Sequence, residues 1–422
     1  MTGIAPHKAL GCCRGCDSEA LHVLHEFGVA PIADRLLDPA GTTEDLSAPL
    51  TLVLCTDCGL TQIRETVEPR YLFHEDYPYY SSVSKALMAH FHASADTLVE
   101  TLELGEDSLV VEAASNDGYM LRRFKDAGIP VLGIDPSDGP VKAAQLRGID
   151  TIHGFFNLDR ACARASEGKK ADLFLANNVL AHVADTHDFV AGIAEILAED
   201  GVAVIEFPYL TDLVDHCAFD TIYHQHLLYL SLTATAPLFE RHGLFLNDAE
   251  RLKVHGGSVR ITVSRTARTT PRLEALLADE ARRRVKEPVF YTPLLERMEE
   301  LRHDFRVMLD AYRSRGQKIV GYGAAAKATT LLHHFGVTQD DLMFICDKSP
   351  WKQGLEMPGT RIPIVAPDAL NGSEASAVVI LAWNFANEIM AENADFASQG
   401  GEFVVPVPDF VITRGEYMRA AL

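Results

Sequence analysis

Two cysteine pairs near the N-terminus are the residues whose type and spacing imply chemistry most directly. The pairs are Cys13-Arg-Gly-Cys16 and Cys55-Thr-Asp-Cys58. A Cys-X-X-Cys turn directs two thiolates at one place, and two such turns supply the four sulfurs of a closed tetrahedral zinc site. Because a closed site leaves no coordination position for a reactant, we predict a structural zinc ion. Cys12 is a spare thiol or a competitor for the position of Cys13, and four unrelated buried cysteines are the alternative.

A second group of polar residues follows the first strand of a predicted parallel sheet. The strand ends at Glu112, and a short turn of small and polar residues leads into a helix: Ser115, Asn116, Asp117 and Gly118. Such a turn lets a ligand approach the backbone amides. The next strand ends in Asp135-Pro136, where a carboxylate can bind two ribose hydroxyls. Since a dinucleotide fingerprint needs three glycines and this turn has one, we predict a nucleoside without phosphates, such as S-adenosylmethionine. Alternatively, Asp135 only caps its loop.

Further polar residues follow a later strand of the same sheet. Asn177 and Asn178 come directly after the predicted strand 171–176, and His182 lies four residues beyond them. Side chains at the carboxyl ends of parallel strands line the ligand cleft of such sheets. We therefore predict that the two asparagines complete the cofactor site. A single histidine usually packs or caps, but the position of His182 at this cleft favours a role in the site.

The sequence Tyr223-His224-Gln225-His226 brings two imidazoles and a phenol within four residues. Imidazole accepts and releases protons near neutral pH, and a phenol can donate a hydrogen bond to a developing negative charge. If the segment were a strand, His224 and His226 would share one face, which makes both candidates for a general base. The alternative is a structural corner with all its hydrogen bonds satisfied.

Composition sets limits on the class of protein. The 422 residues are 47% hydrophobic and 23% charged, which is typical of a folded protein of two or three domains. A net charge of −21 opposes binding to nucleic acid. Residues 1–11 lack the apolar core of a signal peptide, and no apolar run reaches membrane-spanning length. We therefore expect a cytoplasmic protein without membrane partners, in a reducing compartment where clustered cysteines bind metal.

The pattern of apolar residues predicts an α/β fold that positions these groups. Strands over 108–113, 131–134, 171–176 and 202–207 alternate with helices, which indicates a parallel sheet. An aromatic segment over 68–84 is predicted as a loop. Apolar residues recur at helical spacing over 294–312, which predicts a long helix between two domains. Three further strands are predicted over 318–322, 342–346 and 377–381. The resulting domains are 1–80, 81–270 and 271–422.

The C-terminal unit contains a second nucleotide-type pattern. Gly321-Tyr-Gly323 follows a strand and opens a helix, and Asp347 ends the next strand. Taken alone, this pattern suggests an NAD-dependent oxidoreductase. However, Lys327 and Lys352 bring positive charge to the same crevice, which favours the pyrophosphate of a nucleotide sugar.

Together with the four cysteines, seven sequence blocks identify a resemblance to a known family. The blocks are Ser115-Asn116-Asp117-Gly118, Asn177-Asn178-Val-Leu-Ala-His182, Phe219-Asp-Thr-Ile-Tyr223-His224-Gln225-His226, Gly256-Gly-Ser258, Gly321-Tyr-Gly-Ala-Ala-Ala-Lys327, Lys352-Gln-Gly354 and Leu381-Ala-Trp383-Asn384-Phe. In this order and over almost the whole chain, they resemble S-adenosylmethionine-dependent sugar C-methyltransferases that act on TDP-linked keto-deoxysugars in antibiotic biosynthesis. The resemblance implies a zinc-binding N-terminal domain, a middle class I methyltransferase Rossmann-like domain and a C-terminal Rossmann-like domain that binds substrate.

The resemblance also implies roles for individual residues. His226 corresponds to the general base, Tyr223 and Tyr77 lie near the reacting centre, and His182 supports them. Tyr79 is a rival to Tyr77. The residues expected to bind substrate are Lys253, Tyr322, Lys327, Lys352, Trp383 and Asn384.

One residue departs from the family pattern, because Gln225 stands where the family usually has Glu. An amide can form hydrogen bonds but cannot carry charge or accept a proton. This departure places the identity of the substrate in question more than the reaction. A differently substituted sugar, or a related non-sugar ketone, is the alternative acceptor.

The expected reaction follows from the chemistry of carbon acids. Forming a carbon–carbon bond with a methyl sulfonium needs a carbanion, and a neighbouring ketone makes one accessible as an enolate. The protein must supply a base, a donor to the oxyanion and a positioned methyl group. We therefore expect C-methylation next to a ketone on a nucleotide-linked sugar. An NAD-dependent oxidoreductase and a non-catalytic zinc scaffold are the competing classes, and the oligomeric state is left open.

Overall fold

The computed structural model describes residues 3–72, 82 and 85–415. Its N-terminal domain is built on β4, a strand of Leu, Val and Thr that is buried along almost its whole length. β3 pairs with it in antiparallel register, with Leu21 opposite Cys55. The elements of this domain are β1 (Gly3–Ile4), β2 (His7–Ala9), β3 (Leu21–Pro31), β4 (Leu46–Cys55), β5 (Thr61–Ile63), β6 (Glu65–Val67) and α1 (Pro69–Leu72).

The middle domain contains a seven-stranded sheet in the order β13-β14-β11-β10-β7-β8-β9. All neighbours pair in parallel except β14, which is antiparallel to both β11 and β13. Its elements are α2 (Lys85–Thr101), β7 (Val110–Ala113), α3 (Leu121–Asp126), β8 (Val131–Asp135), α4 (Asp138–Leu146), β9 (Thr151–His153), α5 (Leu158–Ser166), β10 (Ala171–Asn177), α6 (Thr186–Ile196), β11 (Leu197–Pro208), α7 (Leu210–Asp215), β12 (Leu228–Tyr229), α8 (Leu232–Glu240), β13 (Phe245–Leu252) and β14 (Ser258–Ser264).

The strand order of this sheet creates a ligand crevice. From β7 the chain proceeds to β8 on one side, whereas β10 pairs on the other side. The carboxyl ends of β7 and β10 therefore flank a topological switch point, where open α/β sheets bind ligands.

The C-terminal domain has a six-stranded sheet in the order β17-β16-β15-β18-β19-β20, parallel except at β20. Its switch point lies between β15 and β18. The elements are α9 (Pro271–Arg283), α10 (Thr292–Ser314), β15 (Lys318–Tyr322), α11 (Ala326–His334), β16 (Ile345–Cys346), β17 (Ile364–Val365), β18 (Ala375–Ile380), α12 (Ala386–Glu392), α13 (Ala394–Ser398), β19 (Glu402–Val405) and β20 (Val411–Thr413).

The long helix predicted between two domains is α10. The residues of its apolar stripe are all buried: Leu294, Met298, Leu301, Phe305, Met308 and Tyr312. The helix contacts α7 of the middle domain and β15 of the C-terminal sheet. The helix therefore packs against elements of both domains.

Some predicted elements differ from the structure. The strand predicted over 342–346 is shortened to β16, and the one over 202–207 is part of the longer β11. Within the predicted loop 68–84, residues 69–72 form the short helix α1. Tyr77 and Tyr79 lie outside the described residues. No helix in the described ranges is long and apolar enough to cross a membrane.

One strand of the middle segment joins the N-terminal domain. β12 pairs with β5 in antiparallel register and completes the five-stranded sheet of that domain. The residues immediately before β12 are the Tyr223-His224-Gln225-His226 sequence. The fold therefore brings this sequence to the boundary between the two domains.

Candidate active site and metal centre

The four predicted metal ligands converge on one point. The Sγ atoms of Cys13, Cys16, Cys55 and Cys58 all lie within 4.8 Å of one another. Cys13 is 3.6 Å from Cys58, and Cys16 is 3.4 Å from Cys55. A tetrahedral ion with Zn–S bonds of about 2.3 Å needs sulfur separations of about 3.8 Å, so the cluster fits zinc closely. Cys12 is exposed and does not belong to the cluster.

Hydrogen bonds around Cys13 favour its thiolate form. The thiol of Cys58, the backbone amide of Gly15 and the side-chain amide of Gln62 hold the pKa of Cys13 at about 5. The two nitrogen–sulfur distances are 3.3 Å for Gly15 and 3.1 Å for Gln62 Nε2. Because only thiolates bind zinc strongly, this environment prepares the site for the ion.

Asp135 lies at the carboxyl end of β8, as predicted for a ribose ligand. Its Oδ2 accepts a hydrogen bond from the backbone N–H of Asn116 at 2.9 Å, and its Oδ1 accepts one from Ser137 at 2.8 Å. These bonds fix the carboxylate against the β7 turn while each oxygen keeps a further lone pair. This geometry caps the loop and is compatible with the predicted binding of a ribose. The backbone oxygen of the adjacent Pro136 accepts a hydrogen bond from His153.

Glu112 and Asn177 stand side by side at the switch point between β7 and β10. Asn177 Nδ2 donates to Glu112 Oε1 over 3.2 Å. Glu112 is completely buried, and burial raises the pKa of its carboxyl to about 8, although hydrogen bonds from Asn177 and Tyr119 act in the opposite direction. The floor of the crevice therefore holds a carboxyl that changes charge near neutral pH.

The backbone of the turn is shaped to admit a ligand. Ala114, Asn116, Gly118 and Asn178 have positive φ angles of 51°, 49°, 75° and 56°, which turn the chain sharply after β7 and β10. A Cβ at Gly118 would lie 2.9 Å from Ile149, so the close packing there needs glycine.

Buried polar atoms around this turn point to a bound polar molecule. Ser115 Oγ, Asp117 Oδ1 and Asn178 Oδ1 are buried and have no hydrogen-bond partner among the described residues. Because buried polar groups are normally paired, these atoms fit a cofactor rich in polar groups.

Asp117 has a structural partner as well. Its Oδ2 lies 2.7 Å from Arg147 Nη1 and also accepts a hydrogen bond from Ser82. The hydrogen bond from Ser82 connects the β7 turn to the aromatic segment over 68–84. Asp117 was predicted to bind cofactor, and its geometry also fits anchoring of that segment.

The Tyr223-His224-Gln225-His226 sequence forms a tight turn, which we call the histidine turn (residues 223–226). The backbone N–H of His226 donates to the carbonyl of Tyr223 over 2.9 Å. The turn places Tyr223 and His226 together, with 4.2 Å between their ring centroids. The segment is therefore not a strand, so the condition under which His224 and His226 would share one face is not met.

The hydrogen bonds of His226 define which nitrogen carries its proton. Nδ1 lies 2.8 Å from the carbonyl oxygen of Thr221, which can only accept, so Nδ1 is protonated in the neutral ring. Nε2 then has a lone pair and lies 3.0 Å from the hydroxyl of Tyr223. The ring of His182 stands edge-on at 4.8 Å, and its Nδ1 donates to the carbonyl of Gln225. Burial lowers the pKa of His182.

His224 and Gln225 extend into the N-terminal domain. His224 Nε2 lies 3.2 Å from each of the carbonyl oxygens of Ala48 and Pro49. Burial lowers the pKa of His224 to about 4, so its ring is neutral at physiological pH. Gln225 Nε2 donates to the carbonyl of Ala33 over 2.6 Å. Neither side chain is directed toward His226.

The C-terminal domain reaches the same region through Trp383. Its indole N–H donates to Asp220 Oδ2 over 2.6 Å, and Asp220 is completely buried three residues before the histidine turn. Lys327 Nζ lies 4.1 Å from the centroid of the Trp383 ring and 2.5 Å from Asn384 Oδ1. Three of the predicted substrate residues, Lys327, Trp383 and Asn384, therefore form one cluster beside the turn. Asp220 is an additional site candidate that sequence reasoning did not select.

The remaining predicted substrate residues lie farther from this cluster or have other partners. Lys352 Nζ donates to the carbonyl of Ala324 over 2.7 Å and so crosses the β15 turn. Tyr322 is buried at the end of β15, where burial raises its pKa. Lys253 is exposed before the turn at 254–256. The structure therefore gathers the predicted substrate residues only in part.

Comparison with known proteins finds three family models along the chain and a relative that matches almost its whole length. Residues 13–73 match a family model described as a zinc binding domain, residues 88–247 match a methyltransferase domain, and residues 253–408 match a C-methyltransferase C-terminal domain. The chain is 34% identical to the C-methyltransferase NovU of Streptomyces niveus over 403 residues, which are 94% of this chain and 95% of that protein.

Similar solved structures cover less than half of the chain. One is magnesium protoporphyrin IX methyltransferase from Synechocystis with bound S-adenosylhomocysteine, at 15% identity and a TM-score of 0.35 over 44% of this chain and 89% of that one. Another is an S-adenosylmethionine-dependent methyltransferase from Clostridium acetobutylicum, at 8% identity and a TM-score of 0.33 over 42% of this chain and 91% of that one.

Proposed function

The chain belongs to the zinc-containing S-adenosylmethionine-dependent C-methyltransferases, and from this premise we propose that it methylates a carbon next to a ketone on a nucleotide-linked keto-deoxysugar. The nucleotide we propose is TDP, and the product is a branched sugar for secondary metabolism. The enzyme uses S-adenosylmethionine and carries structural zinc.

The observation that carries the proposal is the pairing of His226 with Tyr223. The imidazole directs its unprotonated Nε2 at the phenol hydroxyl, and a second imidazole, that of His182, stands beside it. This arrangement offers a base and a hydrogen-bond donor within a few ångströms of each other, which is what removal of a proton next to a ketone needs.

In the proposed mechanism, His226 Nε2 removes the carbon-bound proton and becomes imidazolium. The electron pair of the broken C–H bond moves into the carbon–carbon bond of the enolate, and the carbonyl oxygen takes the negative charge. In the resting geometry the Tyr223 hydroxyl donates to His226 Nε2. When substrate binds, this hydroxyl turns to donate to the developing enolate oxygen, which leaves Nε2 available for the carbon-bound proton. Glu112, Asp135 and the turn between β7 and α3 would hold S-adenosylmethionine. Its sulfonium methyl group would be available to the nucleophilic carbon, and the S–CH3 bond that breaks would leave S-adenosylhomocysteine as the thioether. His226 then returns its proton to water.

The sugar nucleotide is proposed to bind at the C-terminal domain. Lys327 and Asn384 lie at the carboxyl edge of that sheet, next to Trp383, which contacts Asp220. A lysine at the first turn of α11 can bind a phosphate, which fits a pyrophosphate-linked acceptor. Because residues 253–408 match the C-terminal domain of a C-methyltransferase, this domain gives no support to an NAD-dependent oxidoreductase.

A second acceptor, a related non-sugar ketone, was suggested by Gln225. In the structure the Gln225 amide binds the carbonyl of Ala33, on the side of the turn away from His226. The replacement of Glu by Gln therefore gives little support to a change of acceptor.

The test is hydrogen exchange at the reacting carbon. His226→Asn should slow exchange of the substrate's α-proton with deuterated solvent by at least about 100-fold, since general bases contribute roughly 10² to 10⁴. TDP-keto-deoxysugars are the probes, and exchange is followed by NMR. Binding of S-adenosylmethionine should stay within about threefold of the parent.

The matched control is His303→Asn, because His303 is exposed on α10. It should exchange the α-proton at the parental rate. Exchange at the parental rate in His226→Asn would exclude His226 as the base and direct attention to His182 and Tyr77.

A further inference from the structure

The backbone that follows the histidine turn belongs to the sheet of the zinc-binding domain. Leu228 pairs with Gln62 and Tyr229 with Thr61 across β12 and β5. The backbone N–H of Ile63 also donates to the carbonyl of Leu227 over 3.0 Å. His226 is therefore two residues from a strand that the zinc-binding domain holds in fixed register.

The side chains of the turn add a second connection. His224 and Gln225 are 0% and 3% exposed, and both donate to backbone carbonyls of the zinc-binding domain. The acceptors of His224 lie on β4, and the acceptor of Gln225, Ala33, follows the end of β3. The two side chains thus bind two separate segments of the zinc-binding domain.

The same strands lead directly to the metal ligands. Gln62, the partner of Leu228, donates through Nε2 to Cys13 Sγ over 3.1 Å and accepts a hydrogen bond from the backbone N–H of Arg14. β4, which receives His224, ends at Cys55. A short chain of bonded groups therefore runs from the cysteine cluster to the histidine turn.

We propose that His224 and Gln225 are positioning residues that fasten the histidine turn to the zinc-binding domain and thereby direct His226 Nε2 toward the substrate. The proposal rests on the assignment of His226 as the base. It gives the zinc-binding domain a part in catalysis without contact between metal and substrate.

The physical basis is that most bonds of the turn run to other parts of the chain. Within the turn, the backbone is closed by one hydrogen bond, from His226 to Tyr223. The middle domain holds the turn through His182, which donates to the carbonyl of Gln225, and the zinc-binding domain holds it through His224, Gln225 and the flanking strand. A displacement of about 1 Å at a catalytic group can lower the rate by roughly 100-fold. Loss of an anchor should consequently reduce turnover more than binding.

The amide of Gln225 suits this task better than a carboxylate. The carbonyl of Ala33 needs a donor, and Gln225 Nε2 supplies one inside a buried interface. An ionised glutamate would place an acceptor against an acceptor and bury a charge. The identity of residue 225 is thus explained by the domain contact.

The test compares His224→Leu with His224→Gln. Leucine removes the donor, whereas the glutamine amide can reach the position of His224 Nε2 and restore it. We expect His224→Leu to lower kcat by about 10- to 100-fold, with KM for a TDP-keto-deoxysugar and Kd for S-adenosylmethionine within about threefold of the parent. His224→Gln should recover kcat to within about threefold. Zinc content, measured by elemental analysis, should be unchanged in both.

A second variant covers the case in which His224→Leu does not fold. Gln225→Leu removes the amide donor to the carbonyl of Ala33 and should lower kcat in the same way. The inference is overturned if either His224→Leu or Gln225→Leu keeps the parental kcat, or if His224→Gln loses as much as His224→Leu.

The outcome can be separated from that of the proposed function. If His226→Asn loses α-proton exchange while the anchor variants keep the parental rate, only the positioning role is wrong. If His226→Asn keeps exchange, then His226 is not the base, and the positioning role of His224 and Gln225 is wrong as well.

Discussion

Two aspartates at equivalent strand ends carry the same pair of backbone hydrogen bonds. Asp135 accepts from Asn116 and Ser137 at 2.9 and 2.8 Å, and Asp347 accepts from Ala324 and Ser349 at 2.7 and 2.8 Å. Each carboxylate is fixed against the turn of the preceding strand with lone pairs to spare. From this repetition we propose that the middle and C-terminal domains each hold a sugar hydroxyl of a nucleoside.

The two aspartates serve as controls for each other. Asp135→Ala should weaken binding of S-adenosylmethionine by about 10- to 100-fold, because hydrogen bonds to a charged group contribute about 1.5 to 3 kcal/mol. Asp347→Ala should leave that affinity unchanged and weaken binding of thymidine diphosphate instead. Calorimetric titration of both variants with both ligands checks the pattern. If Asp135→Ala binds S-adenosylmethionine as tightly as the parent, the cofactor site has been assigned incorrectly.

Glu112 makes the stability of the ligand-free protein depend on pH. Burial raises the pKa of its carboxyl from 4.5 to about 8, so the folded state favours the protonated form. The stabilising contribution of that proton is complete below pH 4.5 and is lost as the pH rises toward 8.

Glu112→Gln removes the titration but keeps an oxygen that can accept from Asn177 Nδ2. The thermal midpoint of the variant should therefore exceed that of the parent at pH 8.5, by the equivalent of roughly 4 to 5 kcal/mol, and the gap should shrink at pH 5. Thermal unfolding of both proteins without cofactor checks this. An equal gap at the two pH values would contradict the shifted pKa.

At the residue scale, short motifs predicted the position of a side chain correctly where the local backbone alone determines that position. The Cys-X-X-Cys pairs and the strand-end Asp135 lie where their spacing predicted. The directions of His224 and Gln225 were not predictable, because they depend on carbonyl groups of Ala33, Ala48 and Pro49 that are distant in sequence. Asp220 was missed for the same reason, since its partner Trp383 belongs to another domain.

At the scale of elements, prediction succeeded where many residues repeat one pattern. Helix α10 shows apolar residues at helical spacing over its whole length, and the structure buries that stripe. Strand β16 shows the limit, because only two residues pair where five were predicted. β12 is also two residues long, and only its tertiary pairing with β5 reveals it. A strand of two residues has too few positions to show an alternation of apolar and polar residues, so its pairing partner cannot be predicted from the sequence.

Helix α10 offers a matched pair of substitutions on its two faces. Phe305 is 0% exposed and stacks on Phe335 with 4.6 Å between ring centroids, whereas Val307 is 54% exposed. Phe305→Ala should cost about 3 to 5 kcal/mol through lost burial and the cavity it leaves. Val307→Ala should change stability by less than about 0.5 kcal/mol. Denaturant unfolding of the two variants checks the difference, and equal losses would contradict the burial of this stripe.

At the scale of the whole molecule, one segment connects the three domains. Residues 219–229 contact the C-terminal domain through Asp220 and Ile222, whose carbonyl accepts from Thr330. They contact the middle domain through Leu227, which donates to the carbonyl of Ala181, and the N-terminal domain through β12. The candidate base therefore lies at the junction of three domains, which match the family models of a zinc binding domain, a methyltransferase domain and a C-methyltransferase C-terminal domain. This arrangement follows from long-range contacts that no local pattern contains.

The metal centre should stabilise this junction without taking part in cofactor binding. Cys58→Ser should lose the zinc ion that the parent retains, because one of four thiolates is missing. Cys12→Ser is the matched control and should retain it, since Cys12 is exposed and outside the cluster. Elemental analysis of the purified proteins measures this directly. Zinc retained by Cys58→Ser, or lost by Cys12→Ser, would contradict the ligand set.

The same two variants separate the roles of the domains. In Cys58→Ser, affinity for S-adenosylmethionine should stay within about threefold of the parent, because Glu112, Asp135 and their hydrogen-bond partners all lie in the middle domain. Methyl transfer should fall by about 10-fold or more, since β5 loses the order that holds β12 beside His226. Titration and a radiolabelled methyl-transfer assay measure the two quantities. A parallel loss of both would mean that the zinc-binding domain supports the whole fold, whereas loss of turnover alone places its effect at the histidine turn.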